Sequence, residues 1–151
     1  MAGRDPFSLK KRSAIMRAVR SHDTLPELQL RKALRSAGYR PSLSTSRIPG
    51  TPDLAFRKMR VAIFVHGCFW HRHQGCSRTT TPTVRRKFWL RKFADNRRRD
   101  RRVQRVLRGA GWKCVIVWTC KINRDIEISR TIRQLAAAGV RPVKSIKTSG
   151  C

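Results

Sequence analysis

The chain has 151 residues and a mass of 17.5 kDa, which predicts a single domain with one hydrophobic core. Its 40% hydrophobic content excludes a wholly disordered chain. Against 36 Lys and Arg there are only 8 Asp and Glu, a formal net charge of +28. A folded domain with this charge repels itself unless a polyanion neutralises it, so nucleic acid is the expected partner.

A membrane role is disfavoured by the hydropathy of the chain. No apolar run approaches the roughly 20 residues that a transmembrane helix needs, and the first residues lack the apolar core of a signal peptide. The five cysteines are an odd number, which argues against a disulfide framework and for free thiols or metal ligands. We therefore expect a cytoplasmic protein.

The first part of the chain is expected to be a basic arm with a short helix, over residues 1–22. Thr24 and Glu27 then have the spacing of a capping box, which predicts a helix that ends at Gly38. In this interpretation Glu27 serves only as a helix cap.

Three apolar segments predict the strands of a sheet. Residues 53–56 and 61–65 should form a hairpin, and the continuous apolar character of the second segment predicts burial on both faces. A helical pattern over about 84–108 leads to a third buried strand at 113–118. A strand, a helix and a strand form a right-handed crossover, so the second and third strands should be parallel neighbours. With a closing helix over 124–138, the sequence predicts an α/β fold with a mixed central β-sheet flanked by helices.

One stripe of the long helix should face the protein: Trp89, Phe93, Asn96, Asp100, Val103 and Leu107. An inward carboxylate needs a partner, so Asp100 is a candidate site residue. The other faces carry seven arginines, which form either a solvated surface or a phosphate-binding surface: Arg97, Arg98, Arg99, Arg101, Arg102, Arg105 and Arg108.

A possible zinc site combines ligands from two strand ends: Cys68, His73, Cys76 and Cys120. The parallel pairing of the strands should bring Cys120 beside the other three. Three thiolates and an imidazole suit a structural Zn²⁺ with closed tetrahedral geometry. The alternative is that the cysteines are buried thiols that happen to cluster. Cys114, within the third strand, is expected to be a small core residue.

A second group of candidate residues suits phosphodiester chemistry. Asp53 begins the strand that pairs with 61–65, which places its carboxylate near Val65 and His66. A carboxylate and the backbone carbonyl of Val65 are suitable ligands for Mg²⁺. His66 and His71 could move protons near neutral pH, and Asp100 could orient either ring. The alternative is that each histidine is a hydrogen-bonded structural residue.

Phe69 and Trp70 fall between candidate zinc ligands, in what we expect to be a loop. Apolar side chains in such a position can enter duplex DNA between base steps, which a mismatch makes easier. Trp89 could join them, although its place on the inward stripe equally favours a core role.

Six segments resemble the very short patch repair (Vsr) DNA mismatch endonucleases of bacteria: 49–53 (PGTPD), 65–76 (VHGCFWHRHQGC), 88–89 (FW), 99–102 (RDRR), 111–112 (GW) and 117–120 (VWTC). The resemblance implies a fold similar to type II restriction endonucleases, with a structural zinc added. It also implies a Mg²⁺-dependent enzyme that nicks one strand 5′ of the thymine in a T·G mismatch left by deamination of 5-methylcytosine. Residues 23–139 would form the endonuclease domain and 140–151 a flexible tail.

The resemblance also implies roles for individual residues. Asp53 would be the metal carboxylate, His66 and His71 catalytic, Asp100 the partner of a catalytic histidine, and Glu27 an active-site residue. The zinc ligands would be Cys68, His73, Cys76 and Cys120, and the DNA wedge Phe69, Trp70 and Trp89. Two features depart from the family pattern: Val65 stands where better-known members have a threonine, and one more residue separates His73 from Cys76 than in some members.

The expected partner is duplex DNA with a T·G mismatch, bound by a monomer in the bacterial nucleoid, with mismatch-repair proteins as further candidate partners. Two other functions compete with this one. A catalytically silent, zinc-containing DNA-binding module would bind without cleavage. A restriction-like nuclease would cut both strands of perfectly paired DNA.

Overall fold

The computed structural model describes residues 7–18, 23–43 and 45–143. Within them lie five helices and three strands: α1 (Leu9–Ala18), α2 (Leu25–Ser36), β1 (Leu54–Phe56), β2 (Val61–His66), α3 (Cys68–His71), α4 (Arg86–Gly109), β3 (Lys113–Trp118) and α5 (Asp125–Ala137). None of these helices is both long and apolar enough to cross a membrane.

The three strands form one mixed sheet in the order β1-β2-β3. β1 and β2 pair antiparallel, with Leu54 opposite Ile63. β2 and β3 pair in parallel, in a register that ends with His66 opposite Trp118. The predicted hairpin, the crossover through a long helix and the α/β class are therefore confirmed.

The strands differ in burial. β2 is buried on both faces over Val61–Phe64, as predicted from its continuous apolar run. β3 is fully buried only at Val115 and Val117 and half-buried at most of its other residues, so the predicted third buried strand is buried only in part. β3 lies at the edge of the sheet, and on the side of Cys114 it packs against α4.

Helices cover both faces of the sheet. One face packs against α2 and α5 through a core of eleven buried residues: Leu30, Leu34, Tyr39, Leu54, Val61, Ile63, Val115, Val117, Ile122, Leu135 and Val140. The other face packs against α4 through Ile48, Ala55, Ala62, Phe64 and Leu107. Because β2 contributes to both cores, the position of its C-terminal end is fixed from both sides of the sheet.

The ends of the described chain differ in packing. The predicted short helix of the N-terminal arm is confirmed as α1, which buries none of its residues. Beyond α5, Val140 is buried and the Val143 N–H donates to the carbonyl of Gly38 over 2.8 Å, so packing extends past residue 139. Most of the predicted C-terminal tail, 144–151, lies outside the described residues, as do 1–6 and 19–22.

Candidate active site and metal centre

A cavity of about 540 Å³ lies at the C-terminal end of β2. Its lining includes every residue that the sequence placed in phosphodiester chemistry: Glu27, Asp53, Val65, His66, His71 and Asp100. They come from α2, β2, α3, α4 and the segment before β1. The fold therefore brings together residues that are far apart in sequence.

Asp53 occupies the position that the hairpin predicts. Its Oδ2 accepts a 2.6 Å hydrogen bond from the Val65 N–H across the two strands. Burial and the negative charge of Glu27 raise the pKa of Asp53 to about 6, although the Val65 N–H acts in the opposite direction. A buried carboxylate beside a second carboxylate is suited to bind a cation.

His71 and Asp100 form a close pair. The two residues face each other from α3 and α4, with 2.6 Å between His71 Nδ1 and Asp100 Oδ2. Burial raises the pKa of Asp100, but the hydrogen bond and positive charge of His71, together with His66 and Arg99, outweigh it and leave the pKa below its usual value. Asp100 therefore accepts the Nδ1–H of His71, which leaves Nε2 as the ring nitrogen available to other partners.

His66 lies directly against His71. Their rings are stacked with centroids 3.9 Å apart and an interplanar angle of 12°, and Trp118 packs edge-on against His66 at 5.4 Å. Burial and the charges of His71 and Arg99 lower the pKa of His66 to about 4, with Asp100 opposing. His66 is thus neutral at physiological pH. Donor atoms of His66, His71 and Asp100 also lie within 4.8 Å of one another, close enough to share a cation.

Glu27 does not form the predicted capping box. A capping box requires the side chains of Thr24 and Glu27 to accept backbone N–H groups, whereas here the Thr24 hydroxyl donates to the Glu27 carboxylate over 2.7 Å. The carboxylate is held on the cavity side of α2, where its charge acts on Asp53. Thr24 occupies the predicted N-cap position, but the predicted capping box is wrong because the two side chains bind each other instead of the backbone.

Arg99 also lines the cavity, although the sequence suggested only an external role. It precedes Asp100 on α4 and is one of the positive charges that lower the pKa values of Asp100 and His66. The sequence does indicate this role in one way. Arg99 is one residue from the inward stripe of α4, and a long side chain at that position can reach the edge of the site.

The four predicted zinc ligands form a second group beside the cavity: Cys68, His73, Cys76 and Cys120. Their ligand atoms all lie within 4.8 Å of one another. His73 Nδ1 is 3.6 Å from Cys68 Sγ and 3.3 Å from Cys120 Sγ. The parallel pairing of β2 with β3 places Cys120 there, as predicted.

The ionisation of this group favours a bound cation. The pKa of Cys120 is raised to about 12 by burial and by the hydrogen bonds and negative charges of Cys68 and Cys76. A divalent metal reverses this effect because coordinating thiols lose their protons. Burial and Lys121 lower the pKa of His73, which favours the neutral, metal-binding imidazole. Three sulfur donors and one nitrogen donor fit Zn²⁺.

Phe69 and Trp70 lie on the short helix α3, not in a loop as predicted. The His71 N–H donates to the Gly67 carbonyl, which closes one helical turn between the strand end and the cysteine group. Phe69 packs edge-on against Trp70, Trp89 and the buried Phe93. The three predicted wedge residues therefore form one aromatic cluster, and Phe69 also has a packing role.

Arg72 joins this cluster to the loop that follows, a role that the sequence did not reveal. Its guanidinium lies 4.1 Å from the centroid of the Phe93 ring and donates to the Thr80 carbonyl over 2.7 Å and to the Thr81 hydroxyl over 2.9 Å. Its backbone is left-handed, with φ at 55°. No periodicity marks such a residue, because its partners come from a loop.

Comparison with known proteins gives a consistent result. The family described as DNA mismatch endonuclease Vsr matches residues 4–78. A type II nicking enzyme of Xanthomonas oryzae pv. oryzae, V.XorIIP, is 42% identical over 79% of this chain and 87% of its own length. The DNA mismatch endonuclease Vsr of Escherichia coli is 40% identical over 74% of this chain and 71% of its own length. This chain belongs to the Vsr family of DNA mismatch endonucleases.

A further Vsr relative is the type II nicking enzyme V.NmeAIP of Neisseria meningitidis, which is 34% identical over 89% of this chain and 98% of its own length. As a Vsr family member, the protein is a DNA endonuclease with a DNA substrate. The cavity, the His71–Asp100 pair and the cysteine group are the parts of this Vsr protein from which a more specific function can be argued.

Proposed function

We propose that the protein nicks one strand of duplex DNA 5′ of the thymine in a T·G mismatch, by hydrolysis that requires Mg²⁺. The observation that carries the proposal is the convergence of Asp53 and the His66–His71–Asp100 group on one cavity, directly beside an aromatic cluster. The names of the E. coli and Neisseria relatives support a mismatch substrate and a nick instead of a double-strand break.

Asp53 and the backbone carbonyl of Val65 would hold Mg²⁺. The raised pKa of Asp53 supports this assignment. Burial disfavours its ionised form, and a neighbouring cation would stabilise that form. Glu27 adds a second negative charge near this position. A bound Mg²⁺ would stabilise negative charge on the phosphate oxygens.

His71 is the proposed general base. Asp100 fixes its Nδ1–H, so Nε2 can accept a proton from the water that attacks the phosphodiester. The neutral ring of His66 stacks on the face of the His71 ring. It fixes the plane of the His71 ring without adding charge. Arg99, at the edge of the cavity, is positioned to bind the phosphate.

Phe69, Trp70 and Trp89 are the proposed mismatch wedge. Trp70 lines the catalytic cavity and contacts both other rings, so an aromatic surface adjoins the proposed site of hydrolysis. Inserting such rings between base steps costs a few kcal/mol of unstacking, and a T·G step opens at lower cost than a matched pair. Selection for the mismatch would follow from this difference.

The proposed role of Zn²⁺ is structural. Cys68 begins α3, and His73 and Cys76 follow it, so a metal held by them and by Cys120 would fix the helix that carries both His71 and Trp70. All four ligand positions come from the protein, which leaves none open for catalysis.

We also propose three broader properties. The fold would be related to that of type II restriction endonucleases, one chain would act as a monomer, and mismatch-repair proteins would be candidate partners in the bacterial cell. An experimental structure with DNA would test the first two.

A strand-specific nicking assay tests the central proposal. With Mg²⁺, the wild type should cut only the thymine-bearing strand of a T·G duplex, and Asp53→Ala should not cut it. Asp125→Ala, which removes an exposed carboxylate from the start of α5, is the matched control and should keep wild-type activity. Cleavage of both strands in paired DNA would indicate a restriction-like nuclease, and binding without cleavage under any divalent metal would indicate a silent DNA-binding module.

A further inference from the structure

Four arginines form a basic surface on the outside of α4, and we call it the arginine ridge: Arg98, Arg101, Arg102 and Arg105. All four are exposed. Together with Asp95 and Arg99 they line a shallow depression of about 370 Å³, to which no other element contributes. The ridge is separate from the residues proposed for catalysis, the wedge and zinc binding.

The charge of the ridge is poorly compensated within the described chain. Asp95 is the one carboxylate in the depression, and it lies 3.1 Å from Arg98 with both side chains more than half exposed. Such surface pairs contribute little. Arginines three or four positions apart on a helix repel each other. The helix dipole favours cations only in the last turn, so it does not account for Arg101 and Arg102.

The ridge faces away from the catalytic cavity. Successive residues of a helix are rotated by about 100°, so Arg98 and Arg102 lie on the far side of α4 from Asp100, which lines the cavity. α4 also runs from the aromatic cluster back to the start of β3, which carries the ridge away from the wedge. Duplex DNA is stiff over about 150 base pairs, and reaching the ridge from the cavity would need a reversal of direction, more than the kink of up to about 90° that an inserted wedge makes.

We propose that the arginine ridge binds a second segment of duplex DNA through its phosphates, independently of sequence and of the segment in the catalytic cavity. From Arg98 to Arg105 the helix rises about 10 Å. One DNA strand carries a phosphate about every 3.4 Å along the duplex axis, so this length matches about three phosphates. Guanidinium groups bind phosphate oxygens with two N–H donors each, which suits the exposed arginines of the ridge. This binding goes beyond nicking, which needs only the cavity.

The test uses a triple variant, Arg98→Gln with Arg102→Gln and Arg105→Gln. Its matched control removes three positive charges from α2 and α5, on the opposite face of the sheet: Lys32→Gln, Arg35→Gln and Arg133→Gln, all at exposed positions. Each protein is saturated with an unlabelled T·G duplex of about 15 base pairs, a length of roughly 50 Å. A fluorescent, fully paired duplex of the same length is then added, and its binding is followed by anisotropy and by sedimentation.

We expect the wild type and the charge-matched control to bind a second duplex, and the ridge variant to bind only the first. The affinity for the second duplex should fall with salt with a logarithmic slope of about −3, as for three phosphates. A triple Arg→Lys variant should bind the second duplex with the same salt slope but more weakly than the wild type, because it keeps the charge and loses the two-donor contacts. Binding of one duplex by the wild type, or of two by the ridge variant, would overturn the proposal. Because T·G nicking is measured separately, a failure here leaves the function proposed for the cavity untouched.

Discussion

His71 Nδ1 lies 2.6 Å from Asp100 Oδ2 although 29 residues separate the two in sequence. The short helix α3 carries the histidine and the long helix α4 carries the carboxylate, and both side chains are about five-sixths buried. Since a carboxylate can only accept here, the pair sets one tautomer of the imidazole. The basicity of the free Nε2 therefore depends on a residue that need not touch DNA.

Asp100→Asn should lower the nicking rate about 100-fold, the usual contribution of a general base. Asparagine fits the space, but it loses the negative charge that stabilises a protonated His71. The measurement is single-turnover nicking of a T·G duplex with Mg²⁺, together with the dissociation constant of the same duplex. We expect the rate to fall while the dissociation constant stays within about threefold. Asp125→Asn at the exposed start of α5 is the control, and an equal loss in both variants would contradict the assignment.

Asp53→Asn should stabilise the Mg²⁺-free protein at neutral pH. Folding raises the pKa of Asp53 from 3.8 to about 6, so it favours the protonated carboxyl. The contribution of the protonated carboxyl to the free energy of unfolding is complete below about pH 3.8 and is lost as the pH rises through about 6. Near pH 7.5 the variant should be more stable by on the order of 2 kcal/mol, since one pKa unit corresponds to about 1.4 kcal/mol.

Denaturant unfolding of both proteins at about pH 4 and about pH 7.5 checks this prediction. The difference in the free energy of unfolding between the two proteins isolates Asp53. The titration of His66 contributes equally to both and cancels. Added Mg²⁺ should then stabilise the wild type and not Asp53→Asn. A difference that does not change with pH, or equal stabilisation by Mg²⁺, would exclude the proposed metal site.

Removing one ligand from the cysteine group should unfold the domain. We expect about one zinc per chain in the wild type and a large loss of stability for Cys76→Ser, since structural zinc contributes on the order of 10 kcal/mol in small domains. Cys114→Ser is the matched control, because Cys114 is half-buried and outside the group. Metal analysis and thermal unfolding are the measurements. A zinc-free protein with unchanged stability would refute the structural role.

Trp70→Ala should reduce mismatch selection more than general DNA affinity. Stacking on a base is worth about 1–3 kcal/mol, so the preference for T·G over paired DNA should fall by roughly tenfold or more. Leu90→Ala, at an exposed apolar residue of α4, is the control and should keep the wild-type preference. Binding constants for matched and mismatched duplexes are compared. Equal losses on both would show that Trp70 only packs against its neighbours.

Arg72→Ala should destabilise the fold by about 2 kcal/mol, because two charge-assisted hydrogen bonds and the contact with the Phe93 ring are lost together. Arg78→Ala removes an exposed arginine from the same segment and should cost little. Urea unfolding gives both values. Similar small effects in the two variants would mean that Arg72 does not hold the loop against α4.

The sequence predicts the frame of the molecule because its signals are periodic and local. Only residues close in sequence are needed to recognise three of these features: the apolar run of β2, the stripe of α4 and the turn between β1 and β2. Parallel pairing follows from the length of the crossover, and it was enough to bring Cys120 to the cysteine group.

Side-chain partners could not be predicted in the same way, because they depend on distances of a few ångströms across elements. Asp100 had two possible partners in sequence, and only the fold selects His71. The sequence spacing of Thr24 and Glu27 is the same in a capping box and in the direct hydrogen bond between their side chains, so it could not distinguish the two. The stack of His66 on His71 and the contacts of Arg72 leave no pattern in the chain.

The register of β2 and β3 has a consequence for how the protein is made. His66 pairs with Trp118, so a slip of β3 by one residue would move Cys120 away from its group and turn the side chains of β3 to the wrong face. The cysteine group is therefore complete only after β3 has been synthesised and has paired with β2. Under the structural role proposed for zinc, an incomplete chain that lacks β3 would not hold α3, and with it His71, in place.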